Sequence, residues 1–313
     1  VTRVAAIDCG TNSIRLLVAD VDPAAGTLTD LDRRMEIVRL GQGVDRTGRL
    51  APEALDRTFA ACRAYAKVIE KLGAERVRFV ATSASRDAEN REEFVRGVVG
   101  ILGVEPEVIS GEEEAEFSFI GATRELTARH AVPTPYLVLD IGGGSTEFVL
   151  GVEHAQAARS VDIGCVRLTE RHLHDDPPSP EQIARARADI EAGIDAAAAA
   201  VPLGEARSLV GLAGSVTTVA GIALDLPEYD STKIHHSRLS AAQVREITER
   251  LLRSTHAERA AIPVMHPGRV DVIGAGALIL HVIMERLGLP EVVVSEHDIL
   301  DGIAYSLVEP GAQ

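Results

Sequence analysis

Short β-rich apolar runs alternate along this chain with longer stretches whose apolar residues recur every three or four positions. That alternation predicts an α/β protein with helices packed on sheets. Val4–Asp8 and Ile14–Val21 read as two strands of a hairpin joined by Cys9-Gly10-Thr11-Asn12-Ser13. Pro52–Leu72 reads as a helix carrying Leu55, Phe59, Cys62, Ala66 and Ile69 on one face. A strand at Arg76–Ala81, a helix at Arg91–Leu102, a strand at Pro106–Ile109 and a helix at Glu112–Arg129 follow. The pattern then restarts with a strand at Tyr136–Asp140, a Gly-rich turn and a strand at Thr146–Val152.

Laying Val4–Ala19 over Tyr136–Gly151 aligns Asp8 with Asp140, Gly10 with Gly142, Ser13 with Ser145 and Leu17 with Val149. One hairpin is thus written twice, at domain distance. Such a repeat predicts two lobes of similar topology facing each other across a cleft, residues 1–121 and 122–313, with the last helix free to pack back on the first lobe. Asp175 to Pro180 reads as a linker between two helices of the second lobe, and the Ala-rich stretch Ala184–Ala200 as a scaffold helix.

Composition narrows the class. With 46% apolar residues the chain is too hydrophobic for disorder, and Lys+Arg 32 against Asp+Glu 47 leaves a net charge of −15. No basic face for nucleic acid is expected, nor an aromatic stacking platform, since Trp is absent and Tyr and Phe number four and six. Cys9, Cys62 and Cys165 are too few and too scattered for a disulfide framework or a zinc site. No leader pattern and no bilayer-length apolar run is visible, so the expectation is a soluble cytoplasmic protein with no membrane partner; a homodimer stays open.

The two turns are the first candidates for chemistry. Gly residues let backbone N–H groups converge, and Thr11, Asn12, Ser13 on one turn and Gly143, Gly144, Ser145, Thr146 on the other add donors suited to phosphate oxygens. Beside each turn stands a strand-terminal Asp, Asp8 or Asp140, able to hold Mg²⁺ directly or through water. In the overlay Arg15 falls on Glu147, so Arg15 suits phosphate and Glu147 metal, while plain tight hairpins with exposed strand residues satisfy the same spacing. Ser110 and Glu113 have capping-box spacing, which accounts for Glu113. Glu114 instead borders the apolar stripe Ala115, Phe119, Ala122, Leu126, in line with the small residues Ser118 and Gly121, and is the candidate for polarising a water. Arg86, in Thr82-Ser83-Ala84-Ser85-Arg86, and the strand-turn-helix start holding Gly214 and Ser215 are further anion candidates, though a capped turn with a surface Arg reads the same. His235-His236 lacks a third ligand nearby and reads as structural.

In combination these motifs resemble the exopolyphosphatase/guanosine pentaphosphate phosphohydrolase (Ppx/GppA) family of the actin-like, sugar-kinase and Hsp70 ATPase superfamily. The matching segments start at Asp8, Thr82, Ser110, Asp140, Gly164 and Gly211, occur in family order and span nearly the whole chain. The resemblance implies two actin-like (RNase H-like) lobes around an active-site cleft, with Glu114 as general base and Asp140 and Glu147 holding catalytic Mg²⁺. It also implies phosphate binding by Gly143, Gly144, Ser145 and Thr146 from one side and by Thr11, Asn12, Ser13 and Arg86 from the other. The chain departs from the family at Leu300, where many relatives carry Arg, and it reads as a short, two-lobe member.

The resulting expectation is a Mg²⁺-dependent phosphoanhydride hydrolase acting on inorganic polyphosphate or a nucleotide polyphosphate such as pppGpp. An actin-like kinase for a small metabolite and a polyphosphate or alarmone sensor with weak turnover are the rival readings. Phosphate transfer to an acceptor marks the first rival, and tight binding without phosphate release the second.

Overall fold

The computed structural model describes residues 1–24, 27–129 and 131–308. It divides into one unit of Val1–Gly121 with the segment from Ile299 onward, and a second of Ala122–Asp298. The helix Gly111–Arg129 runs unbroken through the point of division.

The first unit is built on five strands: β1 (Thr2–Cys9), β2 (Ser13–Asp22), β3 (Thr27–Ile37), β4 (Arg76–Ala81) and β5 (Glu107–Val108). They lie in the order β3-β2-β1-β4-β5, with β1 antiparallel to β2 and parallel to β4. The central strand β1 is covered on both faces, as a parallel pairing requires. Ala5, Ile7 and Cys9 join the core under helix Pro52–Leu72, whereas Val4 and Ala6 point the other way, into a cluster with Ile299, Leu300 and Ile303. Successive side chains therefore feed alternate cores, as the strand period of two dictates.

The second unit repeats this plan with β6 (Tyr136–Ile141), β7 (Thr146–Gly151), β8 (Ala155–Val161), β9 (Ser208–Leu212), β10 (Arg238–Ser240) and β11 (Glu291–Val294). Their order, β10-β11-β9-β6-β7-β8, is that of the first sheet with β10 added at one edge. The hairpins agree in register too. Asp8 lies opposite Arg15 in β1–β2, and Asp140 opposite Glu147 in β6–β7. Both turns close alike, through Gly10 N–H to Ser13 O at 2.9 Å and Gly142 N–H to Ser145 O at 3.0 Å.

Four strands, β3, β8, β10 and β11, extend the expected set. β3 is mostly exposed and holds Asp30, Asp32, Arg33, Arg34 and Glu36, and β8 is Ala-rich and exposed or half-buried up to its last residue, Val161. Charge along an outer strand suits an edge that must not pair further.

The helix Ile299–Ser306 closes the back of the first sheet. Leu300 is 1% exposed within that apolar cluster, so an arginine here would have its guanidinium buried; the departure from the family pattern is a core residue. Polar ties fix the same helix: Arg33 Nη2 donates to buried Asp301 Oδ1 at 2.7 Å, and Arg78 Nη1 to Ser306 Oγ at 2.7 Å. Gly302 lies so close that a Cβ would stand 2.1 Å from Phe117 O. Gly302→Ala is therefore expected to destabilise the protein by about 1–3 kcal/mol through overpacking, read as a lowered denaturation midpoint; an unchanged midpoint would show that the seat yields freely.

Candidate active site

In the first unit the turn after β1 has its carbonyls tied back by a single neighbouring segment. Thr11 O accepts from Gly41 N–H at 2.8 Å, and Asn12 O accepts from both Val38 N–H and Arg39 N–H. Among the described residues no backbone carbonyl accepts from the Thr11 or Asn12 N–H. Asn12 is buried and its Nδ2 has no hydrogen-bond partner, a costly arrangement unless a ligand completes it. Thr11 Oγ1 lies 2.8 Å from Ser83 Oγ, joining this turn to the start of the short helix Ser83–Asp87, where Ser85 Oγ is also buried without a partner. Ser13 opens β2 and is half-buried.

Beside this turn the structure brings together charged groups that the sequence assigned to separate tasks. Arg15 donates through Nε (3.1 Å) and Nη2 (2.7 Å) to Asp8 Oδ2. Arg86 Nη1 donates to Ile109 O at 2.8 Å and lies 3.5 Å from Glu114 Oε2. Of the four glutamates at the start of helix Gly111–Arg129, Glu112, Glu113 and Glu116 are exposed, while Glu114 is 8% exposed. Glu113 makes the capping box, donating its N–H to Ser110 Oγ and accepting from Ser110 N–H.

The second unit has the same construction with different charges. Gly142 O accepts from Cys165 N–H, Gly143 O from Val166 and Arg167 N–H, and Gly144 O from Arg167 Nε at 2.7 Å. The start of helix Cys165–His172 thus holds the turn by its carbonyls. Among the described residues no backbone carbonyl accepts from the Gly143, Gly144 or Ser145 N–H. Successive backbone N–H groups in a tight turn are the raw material of anion-binding concavities. Thr146 differs from the expectation of a phosphate donor, because its hydroxyl donates to Ile163 O and so ties the turn in place.

Asp140 and Glu147 are 7% and 0% exposed and stand directly opposite each other on adjacent strands. Like charges so placed are destabilising unless a cation joins them. Glu147 Oε1 accepts from Ser160 Oγ at 2.7 Å, which orients the carboxylate. Two buried, opposed carboxylates beside a phosphate-type turn fit a hard divalent cation, since Mg²⁺ uses one or two carboxylates together with substrate phosphate oxygens.

Gly214 and Ser215 begin helix Gly214–Ala223. Ser215 is buried and its hydroxyl bonds to Cys165, whose thiol burial pushes up. The guanidinium of Arg269 occupies the space where a Cβ on Gly214 would stand, within 1.8–2.1 Å of that point. Arg269, absent from the sequence-based candidates, thereby supplies a cation at this helix start. Preceding it, Ala213 is held at φ 74°, ψ 175°, a region otherwise reserved for glycine.

His235 acquires long-range partners: its Nε2 lies 3.1 Å from Glu125 Oε2, and His297 Nδ1 lies 3.4 Å from the same oxygen. These ligand-type atoms all fall within 4.8 Å of one another. His235 Nδ1 accepts from Glu296 N–H at 3.1 Å, however, which leaves the neutral ring's proton on Nε2, facing Glu125. The group as it stands is a hydrogen-bonded clasp. Burial, with His235 stacked at 3.7 Å, pushes His236 down to about 4.

Comparison with known proteins follows the same lines. The Ppx/GppA phosphatase family model matches residues 17–310. Exopolyphosphatase 2 of Mycobacterium tuberculosis is 51% identical over 98% of this chain and 98% of its own length. The bifunctional 3-dehydroquinate synthase/phosphatase of Fusobacterium nucleatum is 33% identical over 97% of this chain, covering 46% of that protein. A crystal structure of an exopolyphosphatase-like protein superposes with a TM-score of 0.94 at 46% identity over 97% of each chain. The Aquifex aeolicus Ppx/GppA family member does so at 0.79 and 31% identity, covering 98% of this chain and 97% of that one.

The backbone at Ala213 yields a stability prediction. Ala213→Gly is expected to relieve about 1 kcal/mol of net strain and raise the denaturation midpoint; a fall would mean that the Ala methyl packs better than its backbone suffers.

Proposed function

The chain belongs to the Ppx/GppA phosphatase family, and from that premise we propose that it removes terminal phosphate from inorganic polyphosphate by phosphoanhydride hydrolysis. The observation that carries this reading is the pair of turns whose carbonyls are engaged behind them while, among the described residues, the N–H groups of Thr11, Asn12, Gly143, Gly144 and Ser145 find no backbone carbonyl. Such turns suit a ligand made of phosphate oxygens. Polyphosphate is the substrate named for the 51%-identical mycobacterial relative, and the identity spans almost the full length of both chains.

Glu114 is assigned to the attacking water. It is the buried glutamate of its helix start, and Arg86, 3.5 Å away, fixes where the carboxylate points. Arg86 is accordingly a positioning group for Glu114. Arg15 is held by Asp8 through Nε and Nη2, which places its positive charge beside the first turn, with Asp8 fixing the Arg rather than holding metal. Asp140 and Glu147 would hold Mg²⁺, with Ser160 orienting Glu147. When bound, the cation would neutralise charge on the phosphoryl oxygens. Gly143, Gly144 and Ser145 offer backbone N–H groups, with Gly214, Ser215 and Arg269 as further donors of the same unit.

Because phosphoryl transfer passes through a loose transition state, the work of these groups is placement and charge stabilisation. Glu114→Gln keeps the shape and removes the base. Its rate of phosphate release from polyphosphate is expected to fall by about 10²-fold or more; a rate equal to wild type would remove Glu114 from the mechanism. Chelation of Mg²⁺ with EDTA is expected to abolish both turnover and calorimetric binding of tripolyphosphate, because opposed carboxylates without their cation repel the substrate. Unchanged affinity in EDTA would detach Asp140 and Glu147 from substrate binding.

A further inference from the structure

A net charge of −15 sets a problem for an enzyme whose substrate is itself a dense polyanion. Long-range attraction is absent, so every phosphate beyond the terminal one needs a local cationic contact or stays in solvent. One concavity of the first unit offers such contacts outside the groups described above. It has a volume of about 630 Å³ and is lined by Arg46, Arg49 and Arg57, with Gln42 and Thr47, against a single carboxylate, Glu53.

Its position follows from the backbone. Segment 38–41 donates on one side to Thr11 O and Asn12 O, the carbonyls of the first turn. On its other side Val38 O accepts from Arg57 Nε at 2.8 Å, and Arg57 Nη2 donates to Gln42 Oε1 at 3.1 Å. Segment 38–41 therefore brackets the turn and runs straight on into Gln42 and Gly43, which line the cavity. Arg57, with two of its five N–H groups so used, keeps others for a ligand. Arg49 meets Glu89 and Glu93 only at 3.8 and 3.7 Å, with its side chain 54% exposed, an arrangement worth little and easily exchanged for phosphate. Arg46 is exposed. Among the described residues no aromatic ring lines the cavity, and none of them would stack on a nucleobase there.

We propose that the cavity lined by Arg46, Arg49 and Arg57 binds distal phosphates of a linear inorganic polyphosphate chain whose terminal phosphate occupies the first turn. This rests on the hydrolase reading above and adds a chain-length preference to it. Guanidinium groups match phosphate oxygens in pairs, and repeated phosphates let one chain engage several of them without any requirement for register. Tripolyphosphate is too short to gain from the cavity as a long chain does.

The test compares Arg46→Gln/Arg49→Gln with wild type, leaving Arg57 to hold Val38. The kcat/KM ratio for long-chain polyphosphate over tripolyphosphate is expected to fall about tenfold, the effect of losing roughly 1.4 kcal/mol of contact to the long chain. The Lys/Lys variant should restore most of that ratio, since it returns the charge. A purely structural role for these arginines would lower both substrates alike and leave the ratio unmoved, which would overturn the proposal. If wild type released phosphate from neither substrate, the hydrolase reading would fall, and the cavity would be judged by calorimetry with long-chain polyphosphate. Weaker binding by the Gln/Gln variant than by wild type would uphold the site, and equal binding would overturn it.

Discussion

Buried backbone polar groups must be paired, and the way this chain meets that requirement at its two turns determines the rest of its design. In each turn the carbonyls are engaged from behind, by segment 38–41 in one unit and by the start of helix Cys165–His172 in the other. With its carbonyls committed, a tight turn can only present N–H groups on its open side. Anion affinity at such a turn would be a property of the backbone path, independent of any charged side chain. An acidic protein can bind an acidic ligand on those terms, provided that the remaining charge is handled locally.

The duplication shows how that handling diverged. Both hairpins place an Asp at the end of the first strand and set a charged residue directly across from it. In the first unit the partner is Arg15, and the pair neutralises itself. In the second it is Glu147, and two carboxyl groups stand opposite each other in a buried setting. One change at a single slot thus separates an Asp–Arg ion pair from two opposed carboxyl groups. The same scaffold supports both because strand register fixes which side chains meet, whatever their charge.

Much of this was legible in the residues. The repeat between Asp8 and Asp140 follows from turn composition, and the buried placement of Glu114 follows from its spacing to Ala115, Phe119, Ser118 and Gly121 on a helix, both short-range signals. Strands β3 and β8 were not, because an exposed edge strand carries charge or alanine in place of alternating apolar residues. Pairings across sequence were equally hidden. Arg86 meets Glu114 and Arg269 reaches Gly214 only through folding, and in sequence Arg269 sits in an unremarkable Pro-Gly-Arg turn. Leu300 shows the converse: as a departure from a motif it suggested a lost contact, and burial among Val4, Ala6 and Leu17 shows it to be packing.

The helix Ile299–Ser306 belongs to the first unit although it is made after the whole of the second. Until it leaves the ribosome, the face of the first sheet carrying Val4, Ala6 and Leu17 is covered only in part, by Ile109 and Phe117. At typical elongation rates that interval lasts roughly ten seconds or more, during which the second unit can complete its core. Synthesis order and folding order are therefore inverted for part of this protein. Part of the first unit's sheet is enclosed only by residues made after the whole second unit, and a nascent chain stalled before Ile299 would expose an apolar surface open to holdase chaperones.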